Sequence, residues 1–561
     1  MATADDRGEG RLPASTPVLI AGGGPVGLAT AVELAHHGIA SVIIERREEV
    51  SWLRPRAKTT SARTMEHFRR WGLADELREA APLPVAWSDE AVFCTSLLGR
   101  EITRIGCCFG LDLAGSDLVA ECGQQVPQPV VEHVLREAVS QSPLAHMVTG
   151  MQVVAATETA AGAEVDVTDH LGKQHRIRAQ YVIGCEGARS VVRDAIGARY
   201  EGIEASRPNF NIVFRSSGLG DRVPHGPAIH YWVLNPDQPG LVGRLDLDET
   251  WWCIAQGVDV ETGEANSEQL VHNLVGGEVP VSVLATDAWL ARMLLVDRYS
   301  SRRLFLAGDA AHQNPPWGGH GFNTGIGDAV NLGWKMAAVL NGWAPDELLS
   351  SYAPERRPVA ASTIEEAARN MATLAPELAD RRLTGSDDEF AQARPNVAAA
   401  IHATKTGEFH SLELTLGYDY GESTIVVADD PPEVETATST ETGYQPSAAP
   451  GHRLPHRWMA PGDSLYDRLG TEFTLIGDLS RPVAGRLVDE ARSLDVPLSL
   501  MDVRGEEWRV RFGAELVLVR PDQHVAWRGN HLDDPAEIVR QVVGYASRPS
   551  PLESPDLERT S

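Results

Sequence analysis

Gly22, Gly24 and Gly27 stand in the spacing GxGxxG with Pro25 and Val26 between them, and Glu45 follows eighteen residues after the last glycine. Glycines so spaced permit a tight turn and let backbone amides approach a pyrophosphate at a helix N-terminus. A carboxylate placed like Glu45 can accept hydrogen bonds from both ribose hydroxyls of an adenosine, and Arg46 beside it joins the same candidate set. In a chain with 51 glycines a bare GxGxxG would be weak evidence, but between a strand and a helix, with Glu45 at its spacing, nucleotide binding outweighs ordinary turns and a solvated strand end. FAD and NAD satisfy this first motif equally. Two further sets lie far along the chain. "CEGARSVVR" places Glu186, Gly187 and Arg189 in a glycine turn. "LAGDAAHQNPPWGGHGFNTG" holds Gly308 and Asp309, then Pro316, Gly319, Gly321, Phe322 and Asn323 ahead of a helical stretch. A turn acid or helix cap is the bland alternative for Asp309, made the lesser one by the strand before it and Ala310, Ala311 and His312 after it.

These residues need elements to hold them. Residues 18–21 form a buried strand, 25–37 a helix and 40–45 a second buried strand rich in β-branched residues. "QYVIGCEGARS" and "RRLFLAGDAAH" each read as a strand entering a glycine turn, and apolar positions over 326–340 recur at helical spacing. Between them, residues 228–258 carry three strand-like runs. The alternation of Leu245 and Leu247 with Arg244, Asp246 and Asp248 predicts an antiparallel sheet with one wet face, inserted in the nucleotide domain. Beyond residue 451 the order is strand, helix over 482–494, strand, hairpin and a closing helix from Pro535 capped by Asp534, which resembles a thioredoxin fold without its redox cysteines.

The expected class is therefore α/β, a Rossmann-like domain with an inserted antiparallel substrate sheet and a thioredoxin-like C-terminal domain lacking redox cysteines. The expected tails are 1–16 and 547–561. The nucleotide domain takes 17–90, 116–200 and 298–365, and the substrate domain 91–115 and 201–297. A helical connection over 366–428 leads to an acidic, proline-containing linker over 429–450 and the last domain over 451–546, which should serve packing or dimerisation.

With 78 acidic against 50 basic residues the formal charge is −28, which repels nucleic acid and anionic membranes. No run of eighteen apolar residues exists, so no membrane partner is expected and the protein reads as cytoplasmic. The six cysteines form no CxxC pair, and the eighteen histidines show no HExxH, so no metal is expected. No second GxGxxG follows a strand, so a nicotinamide would visit without a Rossmann site of its own.

Taken together, "GGGPVGL", "CEGARSVVR" and "LAGDAAHQNPPWGGHGFNTGIGDAVNLGWKMAAVL" resemble the aromatic-ring hydroxylases among FAD-dependent monooxygenases, of the para-hydroxybenzoate, phenol and polyketide hydroxylase types. The resemblance implies FAD, with Asp309 on the ribityl chain and the turn before Phe322 and Asn323 against the isoalloxazine. It places Pro316 beside the reactive face, and Arg56 and Gln128 near the flavin. It implies NAD(P)H, NADPH favoured, as co-substrate, and O2 activated as a flavin C4a-hydroperoxide that hydroxylates a phenolic or polycyclic aromatic small molecule. Baeyer–Villiger insertion, epoxidation or oxidative decarboxylation run on the same scaffold, and a non-catalytic flavin- or ligand-binding protein is the alternative of another class. The sequence departs from the family pattern at Glu186, for an aspartate, at His320, for a glutamine, and at Lys58, where phenol hydroxylase has its catalytic aspartate. His320 then reads as a solvated neighbour of the turn. The substrate slot is expected among His230, Trp232, Arg244, Trp251 and Trp317. A homodimer is compatible with the sequence.

Overall fold

The computed structural model describes residues 12–53, 58–428, 443–531 and 534–545. The expected tail 547–561 and most of 1–16 lie outside these, and the first strand already begins at Ser15.

The nucleotide sheet is built on parallel strands in the order Ala145–Val148, Ser41–Ile44, Ser15–Ala21, Gln174–Gly184 and Leu304–Leu306. Val18, Leu19 and Ile20 are wholly buried, because helices cover the sheet on both faces and every side chain of a central parallel strand then needs an apolar neighbour. Each such side chain contributes about 1.5–3 kcal/mol of burial. Helix Pro25–His36 packs against helix His320–Leu340, so the first and third motifs open their turns at the same edge of the sheet.

The second sheet has eight strands. At its centre Tyr200–Arg215, Thr250–Gln256, Gly240–Arg244 and His230–Val233 pair antiparallel in that order. His230–Val233 then pairs parallel with Ala91–Cys94. The expectation of a wet face is corrected. Helix Val260–Val275 buries one face through Leu270, Val271 and Leu274. The other face is covered by Trp317 and by Val397, Ile401 and Phe409 of helix Asp387–Phe409. Leu245 and Leu247 lie beyond the end of Gly240–Arg244, so their alternation belongs to a turn, and only Leu247 is exposed.

The C-terminal sheet orders Leu498–Asp502, Phe473–Gly477, Leu516–Val519 and Val525–Gly529, with one parallel and two antiparallel pairings, as in a thioredoxin fold. Asp534 caps Pro535–Val542 through the amides of Ala536 and Glu537. This domain shares one apolar cluster with Trp334 and Ala338 of the long helix and with Trp343 beyond it. Of the expected linker, residues 443–450 are described, and Tyr444 and Ala448 there are buried against the body. The hairpin tip is buried as well. Arg520 donates to both oxygens of Glu355 at 2.8 Å, and Lys335 donates to Glu355 at 2.6 Å.

Candidate active site

Gly22 turns with φ +99°, and a Cβ there would stand 2.5 Å from the Cys185 carbonyl oxygen. The close approach has a purpose in the fold, because Cys185 N–H donates to the Ala21 carbonyl at 2.7 Å and draws the second motif onto the first. Gly27 packs so tightly that an added Cβ would lie 2.0 Å from the Gly22 oxygen. Gly24 caps helix Pro25–His36, and a Cβ there would meet nothing within 4 Å, so its backbone is open to a ligand. The third motif arrives through Ala307 N–H, which donates to the Gly184 carbonyl at 3.0 Å, and through Gly308, which lies against Val26. Three segments separated by well over a hundred residues each thus meet at one sheet edge.

Glu45 accepts from the Gly23 amide at 2.7 Å and from the Arg47 amide and Nε at 2.9 Å. Burial pushes its carboxyl up, but these bonds outweigh it and hold the pKa below the usual range, so Glu45 stays an anion with acceptor capacity left. Arg46 is exposed, and it is Arg47 that joins Glu45 to Glu132. Glu186 binds within its own turn, accepting from Ser190 Oγ at 2.6 Å and from the amides of Val191 and Val192. Burial raises its pKa. Gly187 sits at φ +78°. Arg189 of this turn is exposed, and Arg193 bonds the Ala188 carbonyl. Gln128 is the first residue of helix Gln128–Gln141, and Arg56 lies outside the described residues.

Asp309 is exposed just past the C-terminal end of strand Leu304–Leu306, where ligands of parallel sheets bind. Behind it, wholly buried Asp328 accepts from Gly308 N–H at 3.1 Å, His312 at 2.9 Å and Arg356 Nε at 2.8 Å. Burial opposes its charge, yet Arg356 and His312 hold its pKa below the usual value. The sequence reading missed this aspartate, which sits on the long helix it had placed.

The turn before the long helix leaves Pro316 exposed and buries Trp317. Gly318 and Gly319 have φ +90° and +71°, and Gly321 lies against Asn314. Asn323 accepts from the Ser61 amide at 2.9 Å and donates to the carbonyls of Thr59 at 3.1 Å and Gly319 at 2.8 Å, so it latches the turn to strand Thr59–Thr60. Phe322 is half-buried against the nucleotide-domain core. His320 is not solvated as expected. It is buried, its Nε2 lies without a partner among the described residues, and burial pulls its pKa to about 4.

Against this turn packs an aromatic cluster whose open side, the slot, is the cavity lined by Trp252. Trp317 stands 6.0 Å from Trp232 and 6.3 Å from Trp289, and His230 lies 6.3 Å from both Trp232 and Trp252. Arg244 and Trp251 are corrections. Successive strand residues face opposite ways, so Trp252 lines the slot while Trp251 points to the back of the sheet, where Arg244 lies over it at 4.9 Å. A cavity opens between Leu53, Lys58, Asn211, Trp252 and Asp287. Among the described residues, His230 Nε2 and the indole nitrogens of Trp232, Trp252 and Trp317 are buried without hydrogen-bond partners, which is what polar groups of a flat ligand would satisfy. Away from the slot, Asp89, Cys107 and Asp112 bring one ligand-type atom each within 4.8 Å of one another, a grouping the sequence reading did not anticipate.

The family model described as an FAD binding domain matches residues 15–367, and that of the aromatic-ring hydroxylase C-terminal domain matches 447–546. The chain belongs to the FAD-dependent aromatic-ring hydroxylases. Among the relatives of this hydroxylase, 2,4-dichlorophenol 6-monooxygenase of Delftia acidovorans is 31% identical over 91% of this chain and 94% of its own. FAD-dependent monooxygenase apdD of Emericella nidulans is 31% identical over 94% and 90%. The structure of RebC soaked with chromopyrrolic acid and holding 7-carboxy-K252c superposes with a TM-score of 0.87 at 32% identity, covering 95% of this chain and all of that one. The hydroxylase is thus an FAD-dependent monooxygenase, an oxidoreductase with NAD(P)H as co-substrate, and its α/β fold carries the family's C-terminal domain. Its residues fit the cofactor: open backbone at Gly24, an anionic Glu45, and an exposed Asp309 at the end of a parallel strand. No helix among the described residues is long and apolar enough to cross a membrane.

Proposed function

We propose that the protein hydroxylates a phenolic or polycyclic aromatic small molecule with O2 and NAD(P)H, NADPH favoured. The observation that carries this reading is the aromatic cluster of Trp232, Trp252, Trp289 and Trp317, which begins one residue after Pro316 and reaches a cavity through Trp252. A relative whose name specifies a dichlorophenol adds support. Bound FAD supplies electron storage and oxygen activation. Glu45 and the amides around Gly24 would hold its adenosine and pyrophosphate, Asp309 its ribityl chain, and Asn323 keeps the turn at its reactive edge in register. Phe322 and Pro316 wall that edge, and the tryptophans exclude water from the reacting ring.

Purified protein with FAD should oxidise NADPH faster when a polycyclic phenol is added, consume O2, and give a product heavier by one oxygen atom. Absence of ligand-dependent oxidation across a panel of phenols and quinones would reject the reading. The reading extends to the cytoplasm, supported by Cys94, Cys108, Cys122 and Cys253, which are buried thiols outside any disulfide. It extends also to a homodimer, which sedimentation of the holoenzyme would test.

A further inference from the structure

Most buried cations of this protein are paired. Lys335 donates to Glu355 at 2.6 Å, Lys405 to Glu408 at 2.8 Å, and Arg356 to Asp328 at 2.8 Å. Lys58 is the exception in the slot. Its ammonium lies 3.7 Å from the centre of the Trp252 ring, and among the described residues it has no carboxylate and no hydrogen-bond acceptor. Lys58 is half-buried and lines the cavity, and desolvation there pulls its pKa down to about 8.

The stem that carries this charge is fixed. The Lys58 carbonyl accepts from Val126 N–H at 2.9 Å, and Thr59, the next residue, pairs with Gln125 and takes the amide of Asn323 on its carbonyl. The backbone that carries the ammonium is therefore tied to the same strand as the turn latched by Asn323. Its cavity is shared with Asn211, Trp252 and Asp287. The titratable groups facing it are His230, two strands over from Trp252, and Asp287, across the cavity, with Lys405 behind Trp232. His230 is neutral: burial pulls its pKa to about 3, with Lys58 and Lys405 adding to the effect. It offers a hydrogen bond without competing for an anion. Asp287 already has an interaction of its own.

We propose that Lys58 is a specificity-determining residue that pairs with an ionised ring oxygen of the aromatic substrate, so that this enzyme takes its substrate as the phenolate. This rests on the aromatic-substrate reading above. The phenolic proton leaves to solvent and Lys58 keeps its own, because a cation stabilises the neighbouring anion and the anion in turn favours the protonated amine. An ionised oxygen also raises the electron density of the ring carbon beside it, which is what electrophilic oxygen transfer requires. A neutral or positively charged ring substituent at this position would leave the ammonium unpaired and is selected against.

Alizarin, a dihydroxyanthraquinone whose absorption moves to the red on ionisation, is the probe. Titrated into the oxidised holoenzyme without NADPH, it should show the anion spectrum when bound, at a pH about one unit below that at which the free dye ionises. Lys58→Met should return the bound dye to its neutral spectrum and weaken its affinity about tenfold, while Lys58→Arg should retain the anion spectrum. Flavin absorbance and melting temperature report whether each variant is folded, and the wild-type titration decides alone if a variant is not. Failure of the wild type to bind the dye, a neutral spectrum on binding, or equal spectra and affinities in Lys58→Met would overturn the proposal. No turnover enters the measurement, so a failed hydroxylation assay and a failed dye titration are separate results.

Discussion

At Gly22 a left-handed backbone and the Cys185 carbonyl both exclude a side chain. Gly22→Ala should therefore cost flavin affinity at least about tenfold, roughly 1.4 kcal/mol, read from the recovery of flavin fluorescence on dilution; undiminished retention would refute this. Trp251 and Trp252 permit a paired test. Trp251→Ala removes a wholly buried side chain behind the sheet and should lower stability by about 3–5 kcal/mol, seen in denaturant melts. Trp252→Phe should instead weaken aromatic ligands and leave the melt nearly unchanged, since it alters the slot. The positions of Glu45 and Asp309 at strand ends were legible from motif spacing, because a glycine turn between a strand and a helix is a recognisable pattern, whereas Asn323 stood out only through the family resemblance. The facing of Trp251 and Arg244 was not legible, since alternation tells which residues share a face but not which face the ligand meets. Nor did their sequence context separate buried His320 from a solvated one.

Elements were legible where periodicity ran long: the first parallel strands, the long helix and the C-terminal strands all fall where apolar spacing put them. Helix Val260–Val275 was missed because Gly263, Asn266 and two serine or threonine residues interrupt its pattern, and its apolar positions cluster in the last two turns. The tip of the C-terminal hairpin was missed for another reason. Its residues Arg520, Asp522, Gln523 and His524 are polar and read as a solvated loop, yet all are buried. Asp522 accepts from Trp334 Nε1 at 3.1 Å, and Arg63 donates to Gln523 at 2.6 Å and to the Asp522 carbonyl. Arg520→Met would leave Glu355 with Lys335 of the long helix as its chief cation and should destabilise the fold by about 3–5 kcal/mol, measured by thermal unfolding; a loss under about 1 kcal/mol would show the network to be solvated.

For the whole molecule, His37 joins the nucleotide domain to the C-terminal one, contacting Glu33 at 3.1 Å and Glu472 at 3.2 Å. Burial opposes its charge, but the two carboxylates outweigh this and raise its pKa to about 9. A pKa raised by folding stabilises fully below the unfolded value near 6.5 and loses that stabilisation as pH rises through 9. The melting-temperature gap between wild type and His37→Gln should then be widest near pH 6, worth on the order of 3 kcal/mol, and close by about pH 10. A gap that does not change with pH would refute the assignment. Composition and motif order disclosed the layers of the molecule, but not the packing of one domain on another, which joins the apolar cluster around Trp334 to charged residues that sequence alone assigns to the surface. The buried hairpin tip also bears on engineering by domain exchange. Its key and its lock, Arg520 with Asp522 on one side and Lys335 with Glu355 on the other, are encoded far apart, so a graft of a relative's terminal domain will assemble only if both halves of that fitting travel together.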